Sequence, residues 1–206
     1  MKHELDDETG RFLVRLARKA IDQYLANGMR ITAPDDTPSK LHEKRGVFVT
    51  LTNASADNAL RGCIGYPLPT KRLVDAAIDS AIDAATGDPR FDPVPLEEFR
   101  SKVRVEVSVL TPPEEIVVQN PTDYPKKIEI GTDGLIVERG WYKGLLLPQV
   151  ATEWKMNTEE FLSNCCMKAG LAPDAWLVKG TNVQKFQAVI FHETSPIGPI
   201  ERKLLR

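Results

Sequence analysis

Lys102-Val103-Arg104-Val105-Glu106-Val107-Ser108-Val109-Leu110 alternates polar and apolar side chains from Lys102 to Val109. Successive side chains of a strand point to opposite faces. The stretch therefore reads as a strand with Val103, Val105, Val107 and Val109 turned to a core and Arg104, Glu106 and Ser108 on a polar face. A strand buried on one side only belongs to an antiparallel sheet. Thr111-Pro112-Pro113 ends it.

The neighbouring segments fit that sheet. Gly46-Val47-Phe48-Val49-Thr50-Leu51-Thr52 is rich in β-branched and aromatic residues and reads as a strand. After a turn over residues 53–58 comes Leu60-Arg61-Gly62-Cys63-Ile64-Gly65, a further strand carrying a cysteine between two glycines. Apolar residues at helical spacing predict a helix over 8–27 closed by Gly28. A second helix is predicted from a Thr70 cap to about Ala85. A hairpin is predicted around Thr132-Asp133-Gly134, joining 128–130 to 135–138. Asn157 and Glu160 form a capping-box pair for a helix reaching Ala169. Residues 183–193 hold one more β-rich run. Mixed helices and hairpins without regular βαβ alternation predict an α+β fold with a mainly antiparallel sheet. The Pro-, Asp- and Glu-rich loop 111–127 is a candidate boundary between two lobes of a single module over 1–206.

The chain has 206 residues, enough to bury a sizeable core, with 42% hydrophobic and 27% charged residues. A formal net charge of −2 argues against nucleic acid as the main partner. No apolar run approaches the ~20 residues that span a bilayer, and residues 1–7 hold no signal-like apolar region. Three cysteines, Cys63 and the adjacent Cys165 and Cys166, make no disulfide framework, which implies a reduced, cytoplasmic protein. His3, His42 and His192 are scattered, and no metal or cofactor motif is present.

The chemistry concentrates on Cys63. Glycines weaken a strand interior and mark places of close approach, so Gly62 and Gly65 are expected to clear space around the sulfur. Strict alternation places Leu60 and Ile64 in the core, and Arg61 and Cys63 together on the other face about 7 Å apart. A guanidinium there would favour the thiolate and could clamp a carboxylate or phosphate. Glu106 is the candidate acid/base or orienting group. The alternative is structural: Cys63 as a small buried apolar residue, the glycines serving a bulge, and Arg61 neutralised by Glu106. Trp141, Tyr142 and Trp154 are candidate anchors for a partner, with core packing as the simpler reading.

Together these segments resemble the AMMECR family. The resemblance rests on Leu60-Arg61-Gly62-Cys63-Ile64-Gly65, Asp88-Pro89-Arg90-Phe91, Val105 to Leu110, Gly131-Thr132-Asp133-Gly134-Leu135 and Gly144-Leu145-Leu146-Leu147-Pro148-Gln149-Val150. It implies a two-lobed α+β fold with the hexapeptide near a cleft between lobes. It also implies site residues Arg61, Gly62, Cys63, Gly65, Arg90, Glu106 and Gln149, and a shared pathway with radical-SAM-type and Memo-like proteins. It implies no established reaction. Two functions follow as expectations. One is an enzyme or enzyme partner acting on a small anionic ligand or a modified macromolecule, with Cys63 and Glu106 catalytic. The other is a non-catalytic protein-binding or adaptor module in which Arg61 and Arg90 read a carboxylate.

Overall fold

The computed structural model describes residues 5–203. His3 lies outside them. In chain order the elements begin with α1 (Asp7–Asn27), β1 (Val47–Asn53), β2 (Ala59–Tyr66), α2 (Leu73–Thr86), α3 (Leu96–Lys102) and β3 (Val103–Leu110). They continue with β4 (Glu114–Glu115), β5 (Gly134–Arg139), β6 (Tyr142–Leu146), α4 (Pro148–Glu153) and α5 (Thr158–Lys168). The last are β7 (Asn182–Phe186), β8 (Ala188–Glu193) and β9 (Ile200–Lys203). The fold is α+β, with two sheets. The described chain divides into two compact units, one of residues 5–110 and 189–203, the other of residues 111–188.

The first unit holds a five-stranded sheet in the order β2-β1-β3-β8-β9. Val47, Val49 and Leu51 of β1 and Val103, Val105, Val107 and Val109 of β3 enter one core with α1 and α2. The alternation in the sequence thus selects the face that the helices cover. Asp6 caps α1 by accepting from the Thr9 N–H, and Gly28, at φ 74°, ends it. The second helix starts later than its sequence suggests. Its cap is Arg72, not Thr70, and the Leu73 N–H is taken by the Glu43 carbonyl.

The second unit holds a four-stranded sheet in the order β4-β7-β5-β6. Its core joins Leu135, Val137 and Val183 to Phe161, Leu162, Cys165 and Cys166 of α5. The predicted capping box of Asn157 and Glu160 is present. The predicted hairpin is displaced: β5 pairs with β6 around Gly140-Trp141, and residues 128–130 form no strand. Asp133 is the reason. Its buried carboxylate accepts from the Glu129 N–H, Lys185 and Gln187, which makes 129–133 a turn pinned to β7. The β-rich run 183–193 is two strands in different sheets, divided at Gln187.

Candidate functional site

Cys63 lies on β2, an edge strand, and its neighbours follow from register. Thr50 of β1 pairs with Cys63 on one side and with Glu106 of β3 on the other. Cross-strand partners share a face, so Cys63, Thr50 and Glu106 form one row on the face away from the helices. The Thr50 hydroxyl donates to the Cys63 sulfur at 3.3 Å. Lys203 of β9 reaches the same row and pairs with Glu106 at 2.9 Å. His192 stands on this face as well. It pairs with Glu201 and alternates with Phe191, whose ring packs at Gly10 on the helix side.

Arg61 breaks the alternation. The β1–β2 register runs Leu51↔Gly62, then Thr52↔Leu60, so Arg61 is the extra residue of a bulge. Its guanidinium engages both carboxylate oxygens of Glu98 on α3 and the Asp92 carbonyl. Arg61 is therefore joined neither to Glu106 nor to the thiol. The same bulge moves Leu60 out of the expected core and leaves it exposed.

The outer edge of β2 is closed by the Asp88-Pro89-Arg90-Phe91 loop. The Cys63 N–H donates to Asp88 Oδ2 at 2.8 Å, and Arg90 Nη2 donates to the Cys63 carbonyl. Asp88 also accepts from Arg90 through its backbone N–H, Nε and Nη2. The loop thus takes both backbone groups of Cys63 and blocks further pairing at that point of the edge. The Arg90 guanidinium, with the backbone N–H groups of Cys63 and Arg90, holds the Asp88 carboxyl well below the usual carboxylate range.

The glycines serve packing. A Cβ on Gly62 would stand 2.1 Å from the Ala84 carbonyl oxygen of α2. One on Gly65 would meet the Val47 carbonyl and the Phe48 ring. Gly62 thus lets α2 approach the strand on the helix side, and Gly65 makes room for the Phe48 ring. Cys63 is half-buried, and that burial pushes its thiol up. Thr50 and Arg90 pull the other way, less strongly, and Asp88 and Glu106 add to the upward push. The net direction is upward, which disfavours a resident thiolate at Cys63.

Gln149 sits in the second unit at the start of α4, its Oε1 buried without a hydrogen-bond partner among the described residues. Trp141, Tyr142 and Trp154, expected in a core, are exposed. Thr50 and Lys203 are the additions that sequence reasoning missed. The alternation of β1 marks Thr50 as polar-facing, whereas nothing local marks Lys203, whose strand follows a Pro- and Gly-containing turn. Among the described residues no cluster of three or more His, Cys, Asp or Glu could hold a metal ion.

The AMMECR1 family model matches residues 14–191, a span that covers the second unit, most of the first, and Thr50, Cys63 and Glu106. The chain belongs to the AMMECR1 family. Among AMMECR1 relatives, protein PF1979 of Pyrococcus furiosus is 58% identical over 205 residues, covering 98% of this chain and 97% of that protein. A protein of Methanothermobacter thermautotrophicus is 57% identical over 189 residues, covering 92% and 96%. The crystal structure of uncharacterized protein PH0010 from Pyrococcus horikoshii matches with a TM-score of 0.88 at 57% identity, covering 98% and 99% of the two chains. The AMMECR1 blocks thus take different structural roles here. The hexapeptide and the Asp88-Pro89-Arg90-Phe91 block form one edge structure. The Gly131-Thr132-Asp133-Gly134 block is the turn pinned to β7. No helix among the described residues is long and apolar enough to cross a membrane.

Proposed function

We propose that this AMMECR1-family protein is a non-catalytic binding module that works in the reducing cytoplasm. Its contact region is the Cys63 row together with the Asp88–Arg90 edge. The observation that carries this reading is the spacing across the sheet. β1 separates Cys63 from Glu106, which puts their backbones about 10 Å apart. No base touches the thiol, and Glu106 is already paired with Lys203. A nucleophile needs a base within hydrogen-bond reach or a lowered pKa, and Cys63 has neither.

All three guanidinium nitrogens of Arg61 are engaged by Glu98 and Asp92. Those of Arg90 are not. Asp88 and the Cys63 carbonyl occupy Nε and Nη2, which leaves Nη1 for a carboxylate on an incoming protein. The test is affinity purification of the tagged full-length chain with the partner quantified by mass spectrometry. A stoichiometric partner lost in Arg90→Gln and retained in Cys63→Ser supports the module, provided both variants melt like the parent.

The enzymatic reading keeps one specific observation, the Thr50 hydroxyl directed at the Cys63 sulfur in line with Glu106. It is separated from the module by Arg90→Gln, which would then leave partner capture intact, and by the activity of Cys63→Ser, which would be abolished.

A further inference from the structure

The turn between β8 and β9 carries an anomaly. Ser195-Pro196-Ile197-Gly198 is closed by the Gly198 N–H donating to the Ser195 carbonyl at 2.8 Å. Proline at its second position and a positive φ at its third are the signature of a type II turn, whose third position favours Gly or Asn. Here that residue is Ile197, at φ 60°. A β-branched side chain in this region is strained. Burial does not compensate it, because Ile197 is 66% exposed.

A second, independent observation lies across from it on α1. Arg15 and Lys19 are four residues apart and share a helix ridge, where like charges repel. Both are exposed, and neither has a hydrogen-bond or ion-pair partner among the described residues. Their neighbours are satisfied: Arg18 is held by Glu193 and Asp22 by Arg100. Between this ridge and the turn runs a groove of about 470 Å³ lined by Arg15, Lys19, Ile197 and Ile200.

We propose that this groove binds an extended acidic segment of a partner protein, with an apolar side chain packed on Ile197 and Ile200 and carboxylates on Arg15 and Lys19. A strained, exposed apolar residue and two unpaired cations each cost the free chain stability. One ligand of that composition offsets both. Nucleic acid fits less well. Arg15 and Lys19 are two unpaired cations beside the apolar side chains of Ile197 and Ile200, whereas nucleic-acid binding rests on a run of cations that neutralises many phosphates. The site is independent of Cys63.

The experiment is selection of a displayed random peptide library on the full-length chain, followed by titration of the enriched peptides. Enriched sequences should set a large apolar residue between Asp or Glu. Their affinity should fall at least about tenfold in the Arg15→Glu/Lys19→Glu variant. Ile197→Asn, which accepts positive φ without strain, should weaken binding about as much while its Tm stays equal to or above the parent's. Four results overturn the proposal. They are absence of enrichment, enriched sequences without carboxylates, binding indifferent to these variants, and a fall in Tm for Ile197→Asn, which would make Ile197 structural. Binding of an oligonucleotide of random sequence, or a dimer dissociated by the same variants, assigns the groove to another occupant and equally rejects it.

Discussion

The backbone N–H of Cys63 donates to the carboxylate of Asp88 at 2.8 Å, and that carboxylate also accepts three donors from Arg90. Two sequence blocks 25 residues apart are thereby one structure. The carboxylate is nearly sealed from water, so its charge must be matched locally. Asp88→Asn removes that charge and is expected to destabilise the chain by about 2–4 kcal/mol. Urea unfolding at neutral pH measures it. A loss below about 1 kcal/mol would mean that the edge is held by other contacts.

The same carboxylate predicts an acid response. Arg90 pulls the Asp88 carboxyl far down, the Thr9 N–H takes Asp6 to about 2, and Arg100 lowers Asp22. A carboxyl depressed in the folded state adds stability above its ordinary pKa and loses it as pH falls through the folded value. Stability should therefore decline below about pH 4, and Asp88→Asn should flatten that decline between about pH 4 and 2. Denaturant midpoints at stepped pH give the comparison, and parallel curves for parent and variant would contradict it.

Thiol chemistry should follow burial. Cys63 is half-buried with its pKa raised, Cys165 is buried and pushed up to about 12, and Cys166 is buried and raised. Iodoacetamide should modify the native chain slowly and at Cys63 alone, and should reach all three free cysteines once it unfolds. The native rate should rise with pH later than that of the unfolded chain, because a raised thiol pKa withholds the thiolate. Fast alkylation at or below neutral pH, mapped to Cys63, would restore the nucleophile.

Gly62 should tolerate no side chain. A methyl there meets the Ala84 carbonyl backbone at 2.1 Å, and overpacking against backbone costs about 2 kcal/mol or more. Gly140 offers the contrast. Its Cβ would meet nothing within 4 Å, and only its φ of 60° opposes substitution. Gly140→Ala should therefore cost about 1 kcal/mol. Thermal melts of the two variants rank them, and the reverse order would contradict the packing of α2 on β2.

Arg61 and Glu98 form a two-pronged pair between β2 and α3, with both side chains mostly shielded. A double-mutant cycle of Arg61→Met and Glu98→Gln should return a coupling of about 1–2 kcal/mol. A coupling near zero, with partner binding lost in Arg61→Met, would return Arg61 to the role of ligand clamp.

Local pattern determined a good part of this protein. Alternation from Val103 to Val109 selected the buried face of β3. The α+β class followed from the mixture of such strands with helices. Apolar spacing and Gly28 bounded α1, and Asn157 with Glu160 marked the start of α5. Each of these depends on residues a few positions apart, where backbone geometry alone fixes the outcome. The tertiary structure decided the rest. A bulge turned Arg61 to Glu98 and put Leu60 in water. Asp133 made a turn where a hairpin was expected. Gln187 divided one β-rich run between two sheets, and β9 brought Lys203 to Glu106 from 97 residues away. Arg61, Asp133 and Lys203 meet their partners through the fold, and no spacing along the chain encodes those long-range choices.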